Sequence, residues 1–148
     1  MKKSILLIVT TLCLGMTGLM ANNREGINEK ALTSFQKDFT NATDVSWQTG
    51  TSYLKVSFTL NEQILTAYYN QEGERLAIIR NLRSNELPLA LIEKLKQSYN
   101  NYWITELFEF HGKEDGAYYI TIENADHKIT LKSLGMYDWI NFRKSDKK

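Results

Sequence analysis

Apolar and polar positions along this chain follow two rhythms, and each rhythm occurs twice. Ala31, Leu32, Phe35 and Phe39 fall on one stripe at helical spacing, and Asn28 is placed to cap the helix they define. Ile92, Leu95 and Tyr99 make a second stripe, 60 positions after Leu32, Phe35 and Phe39. Period-two alternation follows each helix. Leu54, Val56 and Phe58 point one way, while Tyr53, Lys55 and Ser57 point the other. Tyr118, Ile120 and Ile122 repeat that strand at an offset of 64, and Leu65 and Ala67 return as Ile129 and Leu131 at the same offset. The chain is one unit, a helix followed by strands, written twice.

The first helix is expected to run to about Phe39 and to end in the turn-rich Asn41-Ala42-Thr43-Asp44. Val45 and Trp47 start the strand rhythm, and strands follow over residues 52–60, 63–70 and 75–81. Asn61-Glu62 and Gln71-Glu72-Gly73-Glu74 supply the turns between them. Residues 84–88 form an internal boundary, with Pro88 in the first turn of the second helix, where its missing N–H costs nothing. That helix runs to about Tyr99. Strands are then expected over 103–111, 117–123, 128–134 and 137–142, and residues 144–148 read as a frayed tail. The two half-units are residues 28–83 and 84–143.

Helices apolar on one side and strands that alternate cleanly predict an α+β fold. It is a tandem duplicated unit with both helices packed on one face of an antiparallel sheet. Leu54, Val56, Phe58, Leu65, Ala67, Tyr118, Ile120, Ile122, Ile129 and Leu131 then form the helix-facing side, and Phe35 and Leu95 are both buried. The other face is expected to meet solvent, carrying Tyr53, Tyr68 and Tyr119 among Lys55, Ser57, Thr66, Thr121, Thr130 and Lys132.

Residues 1–21 read as a secretory signal: Lys2 and Lys3, an uncharged apolar run over 5–14, then small residues up to Ala21. The apolar run is broken by threonines and glycines and falls short of the roughly 20 residues a membrane span needs. The remaining domain, residues 22–148, is thus expected in the periplasm or outside the cell, with no stable membrane insertion. Cys13, the one cysteine, follows Leu12 rather than a small residue, so no lipoprotein box is formed. The mature chain then has no disulfide, thiolate site or cysteine nucleophile and is held by its core. Loss of Lys2 and Lys3 takes the formal charge from +1 to −1, which gives no electrostatic basis for a nucleic-acid partner.

Phe39-x-x-Ala42-x-x-Val45-x-Trp47, Tyr53 leading to Val56-x-Phe58, and Ala67-Tyr68-Tyr69 before Gly73 form one set of signature positions. Glu86-Leu87-Pro88 before Ile92 and Tyr99, and Tyr118-x-Ile120-x-Ile122, form another. Together these resemble the PepSY-like, β-lactamase-inhibitor-like (BLIP-like) secreted proteins of Gram-negative bacteria, over nearly all of the mature chain. The resemblance implies tandem α+β repeats whose sheet forms a concave binding surface flanked by hairpin tips. The comparable tips here are Leu60-Asn61-Glu62 and Asn124-Ala125-Asp126-His127, with Glu62 and Asp126 as acidic tip residues.

Other chemistry is thinly represented. His111 and His127 are the only histidines, and Glu109 shares a strand face with His111, which is too little for a closed zinc site. No nucleophile elbow and no Gly-rich phosphate loop occurs. Glu106, Glu109, Glu114, Asp115 and Glu123 could supply a carboxylate pair, as in any acidic strand protein. No cofactor is implied. The reading is a secreted, non-enzymatic binding protein whose Tyr53, Tyr68, Tyr119, Glu62 and Asp126 engage an envelope protein or peptide, as an inhibitor in one version. A small-molecule or metal-sensing accessory domain, or a minor hydrolase, is the alternative.

Overall fold

The computed structural model describes residues 26–146, so the expected leader over residues 1–21, Cys13 included, lies outside the described residues. Two ten-residue helices, α1 (Glu29–Asp38) and α2 (Leu89–Ser98), accompany eight strands. The strands are β1 (Thr43–Thr49), β2 (Leu54–Leu60), β3 (Gln63–Tyr69), β4 (Arg75–Asn81), β5 (Trp103–Gly112), β6 (Gly116–Glu123), β7 (His127–Leu134) and β8 (Asp138–Asp146). They follow one another from β1 to β8 in a single sheet. The pairs β1–β2, β2–β3, β3–β4, β6–β7 and β7–β8 are antiparallel. Among the described residues, no helix is long and apolar enough to cross a membrane.

This corrects the expected α+β class. The fold is sheet-dominated: eight strands against two helices of about 15 Å each. The physical reason is that most of the described chain alternates with period two and pairs as strands, leaving only two ten-residue stretches at helical spacing.

The chain divides into two compact units. The described residues up to Arg80 with His111–Glu114 make the first, and Asn81–Phe110 with the residues from Asp115 onward make the second. In the first, Asn28 caps α1 by accepting the Ala31 N–H at 2.8 Å, and its amide donates to the Gln71 carbonyl at 2.6 Å. The cap thereby ties the helix start to the β3–β4 turn. Gly73 makes that approach possible: its φ is +80°, and a Cβ there would lie 2.7 Å from the Lys30 backbone. At the other end of α1, Tyr69 donates to Asp38 at 3.1 Å and Arg75 pairs with the same carboxylate oxygen at 2.9 Å. The core between these anchors is Ala31, Phe35, Trp47, Leu54, Val56, Phe58, Ala67 and Tyr69, with Leu65 packed beside it. Phe35 sits edge-on to both Trp47 and Phe58, the tilted-ring geometry that aromatic quadrupoles favour.

The second unit packs Leu87 and Leu91 against Leu107, Ile120, Ile122, Ile129 and Leu131, with Tyr118 and Trp139 at the margin. The Trp139 indole donates to the Leu91 carbonyl at 2.9 Å and so fastens β8 to α2. Leu91, fully buried, is the anchor of this helix, whereas Leu95 is only half-buried. The expected burial of Leu95 is thus corrected: Leu91 and Leu95 share one face a turn apart, and Leu95 packs against the same core while keeping part of its surface exposed. Arg143, Lys144, Ser145 and Asp146 pair with Thr130, Ile129, Lys128 and His127, so the expected tail is strand through residue 146.

The expectation of a solvated second face is also corrected. In the first unit, Tyr68, Ala77 and Ile79 point away from the α1 core and are 2–3% exposed. In the second, Phe108, Phe110, Ala117, Tyr119, Thr121 and Thr130 are buried on the side away from α2. Thr121 is satisfied there by hydrogen bonds with Glu106 and Thr130, both at 3.1 Å, as a buried hydroxyl must be.

Candidate partner-binding surface

The β2–β3 hairpin closes on two residues, Asn61 and Glu62, between the paired Leu60 and Gln63. Both take left-handed backbone angles, φ +49° and +65°, because a two-residue turn matches strand twist only in the primed types. Asn tolerates that region, but Glu does not favour it, so an exposed carboxylate is held at a strained tip. The β6–β7 tip is built differently. The Asn124 side-chain oxygen accepts the Asp126 and His127 N–H groups at 3.0 and 2.8 Å, and the Asn124 N–H donates to the His127 carbonyl. Asp126 projects exposed from this stapled loop. His127 contacts Asp146 at 2.9 Å, and Lys128 pairs with Glu123 at 3.2 Å.

The three tyrosines behave differently from the tips. Tyr68 and Tyr119 are each 2% exposed, not solvent-facing as the strand rhythm predicts. Tyr68 is opposite Lys55 and Ala77 and 5.5 Å from the Tyr53 ring. Burial, and then the neighbouring Tyr53, push its phenol above the ordinary tyrosine range, and burial lowers the Lys55 ammonium. Tyr119 stacks on Phe108 at 5.3 Å and meets Phe110 and Phe142 edge-on, with the Lys132 ammonium 5.7 Å from its ring. Three phenylalanines from β5 and β8 therefore explain why it is core. Tyr53 is half-buried and lies over Gly50, where a Cβ would come within 2.8 Å of its ring. Tyr53 is the one tyrosine of the three with accessible surface to offer, and it lies at the end of β2 opposite the Asn61-Glu62 turn.

The sequence matches no protein-family model and no curated protein. Among solved structures it is similar to a BLIP-like protein from Bacteroides fragilis (TM-score 0.70, 18% identity), covering 80% of this chain and 85% of that one. A DUF2874 family protein from Bacteroides ovatus gives a TM-score of 0.71 at 17% identity, over 85% of this chain and 89% of the other. A protein from Bacteroides eggerthii assigned to the periplasm gives 0.72 at 12% identity, over 80% and 88%. The fold is BLIP-like.

Among the described residues, no three His, Cys, Asp or Glu side chains converge as metal ligands. Of the carboxylates with catalytic potential, Glu106 accepts from Thr121, and Glu123 binds Lys128 and Thr105. Glu114 and Asp115 are exposed. One feature escaped the strand pattern altogether. Leu134, Met136, Tyr137 and Ile140 are 61, 55, 74 and 45% exposed on the β7–β8 hairpin. The signal was present in Leu134-Gly135-Met136-Tyr137, an apolar turn sequence where polar residues are usual.

Proposed function

We propose that this chain is a non-enzymatic, periplasmic binding protein of the PepSY-like, BLIP-like kind, gripping a protein or peptide partner with its hairpin tips. Glu62 and Asp126 supply the acidic contacts and Tyr53 an accessible aromatic one, while Tyr68 and Tyr119 stiffen the sheet beneath. The observation that carries this reading is Glu62 in the left-handed region at an exposed two-residue turn, where glycine is the unstrained choice. Strain of that kind persists at working sites because the surroundings hold it there. The Bacteroides structures of the same fold, one BLIP-like and one assigned to the periplasm, support the setting.

The test is capture from an envelope extract with wild-type protein and with Glu62→Ala and Asp126→Ala, followed by titration calorimetry on what is retained. The reading expects a partner bound by wild type and weakened by each variant at an unchanged melting temperature. Equal retention by all three proteins moves the site off the tips, and no specific retention removes the binding role.

A further inference from the structure

Lys55 stands in the middle of the second face of the first unit. Leu54 and Val56, on either side of it, are buried in the α1 core, so alternation turns Lys55 the other way. Gln48 on β1 and Tyr68 on β3 lie directly opposite it, and Ser46, Ser57 and Thr66 form the next row of the same face. Tyr53, just before β2, packs its ring on that of Tyr68 at 5.5 Å. Lys55 is the one cation in these rows, and they contain no carboxylate.

Two polar groups of this patch are unmatched. Lys55 is half-buried, and no carboxylate among the described residues pairs with it. Burial withdraws water from the ammonium and lowers its proton affinity, with no opposite charge to offset the cost. The Tyr68 hydroxyl also has no hydrogen-bond partner among the described residues, although that of Tyr69 next to it donates to Asp38. Every fully buried side-chain polar atom among the described residues is partnered, so both unmatched groups are within reach of a ligand. Ser57 and Thr66 satisfy each other at 3.3 Å.

We propose that this face binds the carboxylate of an Asp or Glu side chain in an extended segment of the partner, the Lys55 ammonium supplying the charge and the Tyr68 hydroxyl a hydrogen bond. One cation beside neutral donors matches a monoanion, whereas a phosphate dianion would keep charge unpaired. Exposed Gln48 and Ile64 extend the same face across and along the strands. A bound segment can therefore continue past Lys55, which selects a side chain over a chain terminus. The inference deepens the partner-binding reading and rests on it, but it invokes neither tip: Lys55 lies about 17 Å along β2 from Leu60.

Two capped pentapeptides, acetyl-Ser-Val-Glu-Val-Ser-amide and its Gln counterpart, test this by titration into isotopically labelled protein at constant ionic strength. Amide shifts of β2 and β3 are the readout. The Glu peptide is expected to shift the resonances around Lys55 and Tyr68 saturably and to bind about fivefold tighter than the Gln peptide. Lys55→Met is expected to abolish that difference and Lys55→Arg to keep most of it. Tyr68→Phe, which retains the ring, is expected to weaken the Glu peptide about threefold. Glu62→Ala is expected to leave its binding unchanged. Equal affinity for the two peptides, no saturable shift, or a preference that survives Lys55→Met overturns the assignment. Tighter binding of a Gln peptide with a free C-terminal carboxylate overturns the choice of a side chain. Partner capture by the tips is a separate readout, so a failed titration strikes this site alone.

Discussion

Tyr119→Ala is the perturbation that separates a buried second face from an open one. The phenol ring is 2% exposed and packs on Phe108, Phe110 and Phe142 at 5.3–6.1 Å. Truncating a fully buried aromatic residue costs about 3–5 kcal/mol, from lost transfer energy and the cavity left behind. Three ring contacts at about 0.5–1.5 kcal/mol each make the upper half of that range the expectation. On a solvated face the same change would stay within about 0.5 kcal/mol. Tyr137→Ala, at a residue 74% exposed in the same unit, is the matched control and is expected to stay within that limit. Urea unfolding followed by tryptophan fluorescence reads both, with an unchanged slope showing that the midpoint reports stability. Equal midpoints for the two variants would refute the buried aromatic cluster.

Leu91→Ala is expected to cost about 2–5 kcal/mol and Leu89→Ala, at a residue 70% exposed, less than about 0.5, read as urea midpoints. Glu62→Gly is expected to raise stability by about 1 kcal/mol, by relieving the left-handed turn, while weakening partner binding in calorimetry. Burial raises the phenols of Tyr68 and Tyr69 above the ordinary value of 10.0, in Tyr69 with help from the nearby Asp38 carboxylate. The folded chain then holds protons that the unfolded chain releases, so their stabilisation is complete below pH 10 and is lost as pH rises through the raised values. Absorbance at alkaline pH is expected to show both phenols ionising only with unfolding, and free titration with the other tyrosines would contradict their burial.

The helix-facing core was legible because period and amphipathicity report one face well. All ten residues expected beneath the helices, from Leu54 to Leu131, lie in or against the two cores. The second face was not legible from alternation alone. Period two separates Tyr68 and Tyr119 from the helix side, but it is silent on whether their side is wet. Phe108, Phe110 and Phe142 held the missing information, since three phenylalanines on the side of Tyr119 imply cover. Leu91 went unmarked although it stands 60 positions after Ala31 and lies one turn before Leu95 on the same stripe. The hairpin tips were placed correctly by Asn61-Glu62 and by Asn124, whose turn chemistry is local. Strain at Glu62 required backbone angles.

Site-directed photocrosslinking inside the cell tests the binding role most directly. A photoreactive residue replaces Asn61 or Ala125, which leaves Glu62 and Asp126 in place, and the exposed Gln97 on α2 serves as the control position. The account predicts an adduct of the same partner from positions 61 and 125 and none from 97. No adduct from either tip, or the same adduct from position 97, would contradict it.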